Sequence, residues 1–216
     1  FGICSYYTEL MGTSNNKWAT LEVEHAVRGE GFSCVAGIDE VGRGSLAGPV
    51  TIGLVVLPEE WHIPVADSKV LSPKQRAETA KLIREAAVVC EIMHVEADFI
   101  DSEGIVSALR EAGSRIWDLL DPIPDLVLLD GSHNYLNCPV PVRTIVQGDR
   151  ISASIAAASI VAKEARDELM RNHAIMYPEY GFESHVGYGT VVHRQAIERH
   201  GPTVLHRRTF LRNILK

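Results

Sequence analysis

The sequence predicts an α/β domain built around a mixed sheet, and three observations lead to this fold class. Short apolar runs of strand length alternate with longer segments of helical pattern. The first two runs follow each other closely, as antiparallel neighbours do, whereas the later ones are separated by helices. Several strands also end on an acidic residue. A polar site is therefore expected beyond the carboxyl ends of the central strands.

The predicted strands are apolar runs bounded by turn residues. The first ends on Asp39 and Glu40, and the second is most simply its antiparallel neighbour. The fourth is apolar throughout, as strands buried on both faces are, and Pro141 indicates an edge position for the fifth. The predicted strands cover residues 34–38, 49–57, 88–95, 126–129 and 140–146.

Helices are predicted between and after these strands. Ser72 is a suitable N-cap and Pro73 a suitable first residue for one of them, and Gly104 is a candidate break in another. The longest begins with small apolar residues that can lie close against a sheet. The predicted helices cover residues 21–28, 73–87, 98–120, 152–176 and a short segment that ends at residue 200.

The stretch after the first strand carries the clearest chemical signal. Glycines lack the Cβ that would block close approach, so a glycine-rich loop can lie directly against a ligand. Asp39 and Glu40 at its mouth would repel a phosphate unless cations stood between them, and hard divalent metals suit this task. The alternative is a strand that ends in a solvated acidic turn. The loop contains three glycines and an arginine: Gly42, Arg43, Gly44 and Gly48.

Two more carboxylates follow later strands. Asp130 ends the fourth strand, and Asp149 comes soon after the fifth. If the first and fourth strands are parallel neighbours, Asp39 and Asp130 lie at one edge of the sheet. Such a cluster cannot stay ionised without cations, and a pair of Mg²⁺ or Mn²⁺ ions about 4 Å apart serves phosphoryl transfer. One ion would activate water and the other would stabilise the leaving oxygen.

Charge is unevenly distributed along the chain. The formal net charge is −7, yet residues 193–216 contain six Lys or Arg and one acid, a net charge of +5 that leaves −12 for the rest. A basic end beside an acidic centre suits a metal-dependent enzyme that acts on a polyanion. The alternative is a solvated helix face.

Other function classes are less well supported. A nucleotide-dependent oxidoreductase could use Gly42, Gly44 and Gly48 as its phosphate loop, but this spacing is not Gly-x-Gly-x-x-Gly, and no P-loop lysine follows. The scattered cysteines argue against zinc. No apolar run reaches the ~20 residues of a membrane span, and no secretory signal is apparent, so we expect a cytoplasmic protein without a membrane partner.

The motifs together resemble the type 2 ribonuclease H family, ribonuclease HII. The resemblance extends from about residue 34 to residue 212 and includes 37–44, 129–131, 148–149, 157–163, 187–188 and 206–210. It implies a ribonuclease H-like five-stranded mixed sheet flanked by helices, with a C-terminal helical extension. By the same resemblance the metal-binding, catalytic acids are Asp39, Glu40, Asp130 and Asp149. A binding module of this shape without catalysis is disfavoured by the retention of all four.

The resemblance also implies how the substrate is read. Gly42, Arg43 and Gly44 correspond to the loop that reads the ribose 2′-hydroxyl, and Tyr188 to the tyrosine that packs on the following deoxyribose. The implied activities are hydrolysis of RNA in RNA–DNA hybrids and nicking 5′ of single ribonucleotides in duplex DNA, as in ribonucleotide excision repair. The products carry 3′-hydroxyl and 5′-phosphate ends, and two Mg²⁺ or Mn²⁺ ions take part. The candidate phosphate contacts are Lys69, Lys163, Arg207 and Arg208.

Two departures from the family pattern lie beside Tyr188. Val186 and Gly189 stand where the family usually has lysine and proline. We expect an N-terminal extension over 1–33, a catalytic domain over 34–192, and a basic helical segment over 193–216 packed on that domain. We expect a monomer whose partners are RNA–DNA hybrids and DNA duplexes containing ribonucleotides.

Overall fold

Five strands form one mixed sheet in the computed structural model, which describes residues 18–215. The strand order is β3-β2-β1-β4-β5. β2 is antiparallel to both β1 and β3, whereas β4 is parallel to both β1 and β5. This confirms the predicted mixed sheet. The strands are β1 (Val35–Val41), β2 (Val50–Val56), β3 (Val89–Val95), β4 (Leu126–Asp130) and β5 (Val142–Ile145).

The first strand is longer than predicted. It continues through Asp39 and Glu40 to Val41 because these residues stay paired with β2, whereas its pairing with β4 stops at Ile38. The two acids therefore sit on a strand supported from one side only. The edge position of β5 is confirmed, and Pro141 lies just outside that strand.

Seven α-helices surround the sheet in the described part of the chain. The second begins as predicted, with Pro73 in its first turn and a reciprocal capping box between Ser72 and Gln75. Gly104, at φ +83°, separates the third from the fourth. The helices are α1 (Glu22–Gly29), α2 (Pro73–Ala86), α3 (Ala97–Glu103), α4 (Ile105–Trp117), α5 (Ala153–Met176), α6 (Phe182–His185) and α7 (Val191–His200).

The central helix α5 lies directly on β1 and β2. Its first ten residues are all buried, and most are alanine, serine or isoleucine. A Cβ on Gly37 would overlap the main chain of Ser154, so glycine lets helix and strand approach closely. The opposite face of the sheet packs against α4, whose buried residues include Leu109 and Ile116. The sheet is thus a core layer between two helical layers.

Residues in the segment 18–33, predicted as an N-terminal extension, contact the rest of the fold. Glu24 on α1 is 1% exposed, and its Oε1 accepts hydrogen bonds from the Ser152 hydroxyl (2.6 Å) and the Ser154 main-chain N–H (2.8 Å). Ala19 also pairs with Val65. We therefore place the start of the domain before α1. The rest of the predicted extension, residues 1–17, lies outside the described residues.

The C-terminal segment is only partly helical. After α7 the chain continues as turns and one short 3₁₀ turn, Arg208–Phe210. This part lies against the glycine-rich loop, where the Arg207 N–H donates to the Leu46 carbonyl and the Gly48 N–H to the Leu205 carbonyl, both at 2.8 Å. Across residues 18–215, no helix is long and apolar enough to cross a membrane.

Candidate metal centre and nucleic-acid interface

The four predicted acids come from β1, β4 and the turn that precedes α5. Asp130 is the last residue of β4, and its Oδ1 accepts a hydrogen bond of 2.7 Å from the Gly148 N–H. This contact ties the end of β4 to the turn that carries Asp149. The charge of Asp130 raises the pKa of Asp39, Glu40 and Asp149 alike, although burial is the larger cause for each. The fold therefore brings the four acids into one electrostatic cluster.

Asp39 is the most strongly perturbed member of the cluster. It is 7% exposed, and burial raises its pKa to about 8 against an opposing hydrogen bond from Ser159. The negative charges of Asp130 and Glu40 raise the pKa further. An acid that resists ionisation this strongly is stabilised as a carboxylate by a nearby cation.

Glu40 and Asp149 also have raised pKa values. For Glu40 the cause is burial, opposed by Arg43, which donates to Oε1 at 3.2 Å. The Tyr135 hydroxyl donates to Oε2, also at 3.2 Å. For Asp149 the causes are burial and then the charges of Asp67 and Asp130.

The donor set fits a hard divalent cation. All four side chains offer carboxylate oxygens, which Mg²⁺ and Mn²⁺ prefer. The pKa values of Asp39, Glu40 and Asp149 are raised by burial and further by neighbouring carboxylates. Within residues 18–215, however, no three acidic, histidine or cysteine side chains already converge as ligands on one point. Arg43 and Tyr135 hold both oxygens of Glu40. Each oxygen keeps a second lone pair, so Glu40 could bind a cation while these hydrogen bonds hold its carboxylate in place.

The glycine-rich loop forms a β-turn beside the acids. The Ser45 N–H donates to the Gly42 carbonyl at 3.3 Å, which leaves Arg43 and Gly44 exposed at the corners. Neither corner N–H bonds to another described residue. Gly42 has φ +84°, and a Cβ there would overlap the Arg166 guanidinium, whereas Gly44 faces open space without a left-handed φ. We name residues 42–45 the reading turn.

Tyr188 lies in a second loop, residues 186–190, which we name the tyrosine loop. Its half-buried ring has Lys163 Nζ 5.6 Å and Arg166 Cζ 5.5 Å from the ring centroid. The Gly187 carbonyl accepts from the Leu46 N–H at 2.8 Å, so this loop lies against the glycine-rich loop. The two predicted substrate-reading elements are therefore neighbours.

The candidate phosphate contacts differ in accessibility. The Lys69 side chain is 76% exposed, and although burial opposes its charge, Asp67, Asp149 and Asp39 raise its pKa, which places the ammonium near the acids. Lys163 donates to Asp167 at 2.8 Å and is mostly buried. Arg208 is exposed, and its main-chain N–H donates to Asp101.

Arg207 is placed differently. It is 0% exposed, and its guanidinium donates to the Gly48 carbonyl (2.9 and 3.0 Å) and the Arg43 carbonyl (3.0 Å). Burial, and then the charge of Arg166, lowers its pKa to about 9, so it stays protonated at neutral pH. Its N–H groups are already engaged, and the geometry supports a role in holding the loop rather than a phosphate contact.

Sequence reasoning missed two residues that the structure brings to the site. Tyr135, in the loop after β4, reaches Glu40. Arg166 lies on the buried face of α5, in register with Ala158, Ala162 and Met170, all 0% exposed. In the sequence, this arginine stands four positions from small or apolar residues on the same helix face, and that pattern could have indicated a buried charge with a specific role.

Comparisons with known proteins identify the family. Residues 36–213 match the family model described as Ribonuclease HII. The chain is 49% identical over 183 residues to ribonuclease HII of Chlamydia pneumoniae, covering 84% of this chain and 85% of that protein. The structure resembles ribonuclease H2 from Pyrococcus horikoshii, with a TM-score of 0.72 and 25% identity over 84% of this chain and 97% of that one.

A more distant structure shares the fold. It is Bst-RNase HIII in complex with Mn²⁺, with a TM-score of 0.60, 18% identity, and coverage of 81% of this chain and 66% of that one. The family match and the relative that is almost half identical cover most of the chain. The chain therefore belongs to the ribonuclease HII family, whose members are nucleases that depend on divalent metals and hydrolyse RNA in RNA–DNA hybrids.

Proposed function

We propose that this protein nicks duplex DNA on the 5′ side of single embedded ribonucleotides, in addition to hydrolysing the RNA strand of RNA–DNA hybrids. The observation that carries the proposal is the position of two sugar-reading elements beside four acids. The Arg43 and Gly44 N–H groups of the reading turn bond to no other described residue, and the tyrosine loop packs directly against the glycine-rich loop. Together they suit a ribonucleotide followed by a deoxyribonucleotide.

The acids Asp39, Glu40, Asp130 and Asp149 would hold two divalent cations, Mg²⁺ or Mn²⁺. When bound, these cations supply the activation of water and the neutralisation of charge that hydrolysis of a phosphodiester requires. The carboxylates fix the place where the scissile phosphate must lie. Cleavage leaves a 3′-hydroxyl upstream and a 5′-phosphate on the ribonucleotide.

The reading turn would recognise the 2′-hydroxyl through the main chain. The N–H groups of Arg43 and Gly44 are free to donate to the hydroxyl oxygen, and the space at Gly44 admits a sugar. This hydroxyl is the group by which a protein distinguishes ribose from deoxyribose at one site. Recognition through the main chain also explains how any base can be accepted.

Tyr188 would read the next sugar. Its ring is held over Lys163 and Arg166, and its main-chain carbonyl accepts from His193 Nδ1 at 2.9 Å. A flat ring packs well on a deoxyribose and leaves little room for a further hydroxyl. The preference for an RNA–DNA junction follows from this difference.

Phosphate contacts would come from Lys69, Lys163 and Arg208. Lys69 and Arg208 are accessible, and Lys163 lies at the tyrosine ring. Contacts with the phosphates position a duplex without reading its sequence. We propose that the enzyme acts as a monomer in ribonucleotide excision repair, since all the residues proposed for the site belong to one chain.

The test is cleavage of a labelled DNA duplex that contains one ribonucleotide. We expect one nick 5′ of the ribonucleotide with Mg²⁺ or Mn²⁺, and none with a chelator. A substrate with 2′-hydrogen or 2′-fluorine in place of the hydroxyl should bind but stay intact, because binding depends mainly on the phosphates. Cleavage of the 2′-hydrogen duplex at the same site would overturn the proposed sugar reading. Activity on hybrid alone would overturn the nicking proposal.

A further inference from the structure

Arg166 is a fully buried cation whose hydrogen bonds go to main-chain carbonyls. Nε donates to Pro49 at 2.8 Å, Nη2 to Ala47 at 3.0 Å and Nη1 to Val186 at 2.9 Å. Its relative exposure is 0%. Burying a charge costs stability unless its N–H groups form hydrogen bonds. The three carbonyls therefore stabilise the Arg166 guanidinium, and the guanidinium in turn fixes their positions.

The carbonyls come from two separate parts of the chain. Ala47 and Pro49 follow the reading turn, whereas Val186 opens the tyrosine loop. Gly42 in the reading turn also lies on the guanidinium, because a Cβ there would overlap Arg166 Nε. The guanidinium further lies at the Tyr188 ring, 5.5 Å from its centroid. One side chain thus contacts both sugar-reading elements.

Arg207 provides an internal comparison. Its guanidinium donates to the Arg43 and Gly48 carbonyls, so it joins the two ends of the glycine-rich loop. Among the described residues, this guanidinium makes no hydrogen bond to the tyrosine loop. Arg166 is therefore the buried guanidinium that joins the two elements. A planar guanidinium directs its N–H groups in a fixed fork, whereas a lysine ammonium is a compact point charge.

We propose that Arg166 is a positioning residue that fixes the spacing between the reading turn and Tyr188, so that the ribose 2′-hydroxyl and the next deoxyribose are recognised as one unit. The inference rests on the proposed function. If this spacing changes, the reading turn and Tyr188 can each still contact one sugar. They can no longer contact both sugars while the substrate is positioned for cleavage. A displacement of about 1 Å in a positioned substrate can cost a factor of about 100 in rate.

The test compares Arg166→Lys and Arg166→Met with Arg76→Met. Arg76 is a suitable control because it is also a buried arginine, 7% exposed, that lies on α2. It is paired with Glu164 and Asp167 and donates to the Ser68 carbonyl, and within residues 18–215 it makes no hydrogen bond to either loop. For each folded variant, kcat and KM are measured on a duplex with one ribonucleotide and on a continuous hybrid. The ratio of the two kcat/KM values is the selectivity for the junction.

We expect the selectivity of both Arg166 variants to fall by about tenfold or more, mainly because kcat falls on the single-ribonucleotide duplex. The selectivity of Arg76→Met should stay within about twofold of the wild-type value. Lysine at position 166 should not restore the selectivity, because its ammonium cannot reproduce the forked N–H geometry of a guanidinium. A folded Arg166→Lys or Arg166→Met enzyme with wild-type selectivity would overturn the proposal. An equal loss in Arg76→Met would do the same, since it would show a general effect of stability.

Hydrogen exchange gives a readout that does not depend on cleavage. The amides of Leu46 and Ala47 are bonded to the Gly187 carbonyl, and that of Tyr188 to the His185 carbonyl. In Arg166→Met these amides should exchange faster together, relative to amides of β2, and in Arg76→Met they should not. If the amides of only one loop exchanged faster in Arg166→Met, the proposed coupling between the two loops would be refuted. Failure of the proposed function would be seen separately, as a wild-type enzyme that does not nick the single-ribonucleotide duplex.

Discussion

A buried pair of histidines should make the free energy of unfolding depend on pH between 7 and 5. His193 and His206 are 0% and 2% exposed, and their Nε2 atoms are 3.1 Å apart. His206 Nδ1 accepts from the Thr203 N–H, so its Nε2 carries the proton and donates to His193. His193 in turn donates from Nδ1 to the Tyr188 carbonyl. The hydrogen bonds of this histidine pair can form only while both rings are neutral.

Burial lowers the pKa of both histidines to about 4, with the neighbouring imidazoles contributing. In the unfolded chain a histidine titrates near pH 6.5, so the unfolded state binds protons first as the pH falls. Stability is therefore full above about pH 6.5 and is lost as the pH falls towards 4. At pH 5 the linkage amounts to about 2 kcal/mol for each ring, or about 2 to 4 kcal/mol for the pair.

The assay is urea unfolding from pH 7.5 to 5 in chelator, on wild type and on the double variant His193→Asn with His206→Asn. Asparagine keeps a polar atom near each Nδ1 position but does not titrate. Asp39, whose pKa is raised to about 8, acts in the opposite direction, but it is present in both proteins and cancels in their difference. A difference that stays constant within about 0.5 kcal/mol over this pH range would refute the reasoning.

The remaining predictions concern the site. Asp130→Asn should keep the fold and lose at least about 100-fold in kcat, because the amide lacks the charge that the cations need; wild-type turnover with saturating metal would contradict the assignment. Tyr188→Ala should lose about 1–3 kcal/mol of stabilisation on the single-ribonucleotide duplex and less on continuous hybrid, so an equal loss in kcat/KM on both would count against a junction-reading ring. Gly44→Val should fold normally, since the position is open and not left-handed, but should cleave poorly by filling the sugar's space; full discrimination between ribose and deoxyribose would show that the sugar is read elsewhere.

The sequence predicted the sheet because its signals are local. Continuous apolar runs and capping residues mark strands and helix starts wherever they fold, and acids at strand ends meet when the strands are parallel neighbours. The extension of β1 through Asp39 was missed because an acidic residue weakens the pattern of a strand, whereas pairing with β2 decides its length. At the end of β1, pairing with β2 therefore outweighs the local sequence pattern.

The roles of the arginines could not be predicted in the same way. Arg207 and Arg208 are adjacent in a basic segment, yet Arg207 is buried against the glycine-rich loop and Arg208 faces solvent. Composition gives the charge of such a segment but not the direction of each side chain. Arg166 carried no motif from the sequence, since its function depends on carbonyls contributed by segments more than a hundred positions earlier.

The reading turn is made early in synthesis but can be completed only late. The carbonyl of Arg43 in this turn accepts from a guanidinium 164 positions further along the chain. The carbonyl of Pro49, which follows the turn, accepts from another guanidinium 117 positions further along. Contacts of such long sequence separation form slowly, because a large loop must close before any is gained. All four acids are therefore synthesised before Arg166 and Arg207, and the glycine-rich loop gains its last hydrogen bonds only when these two side chains dock.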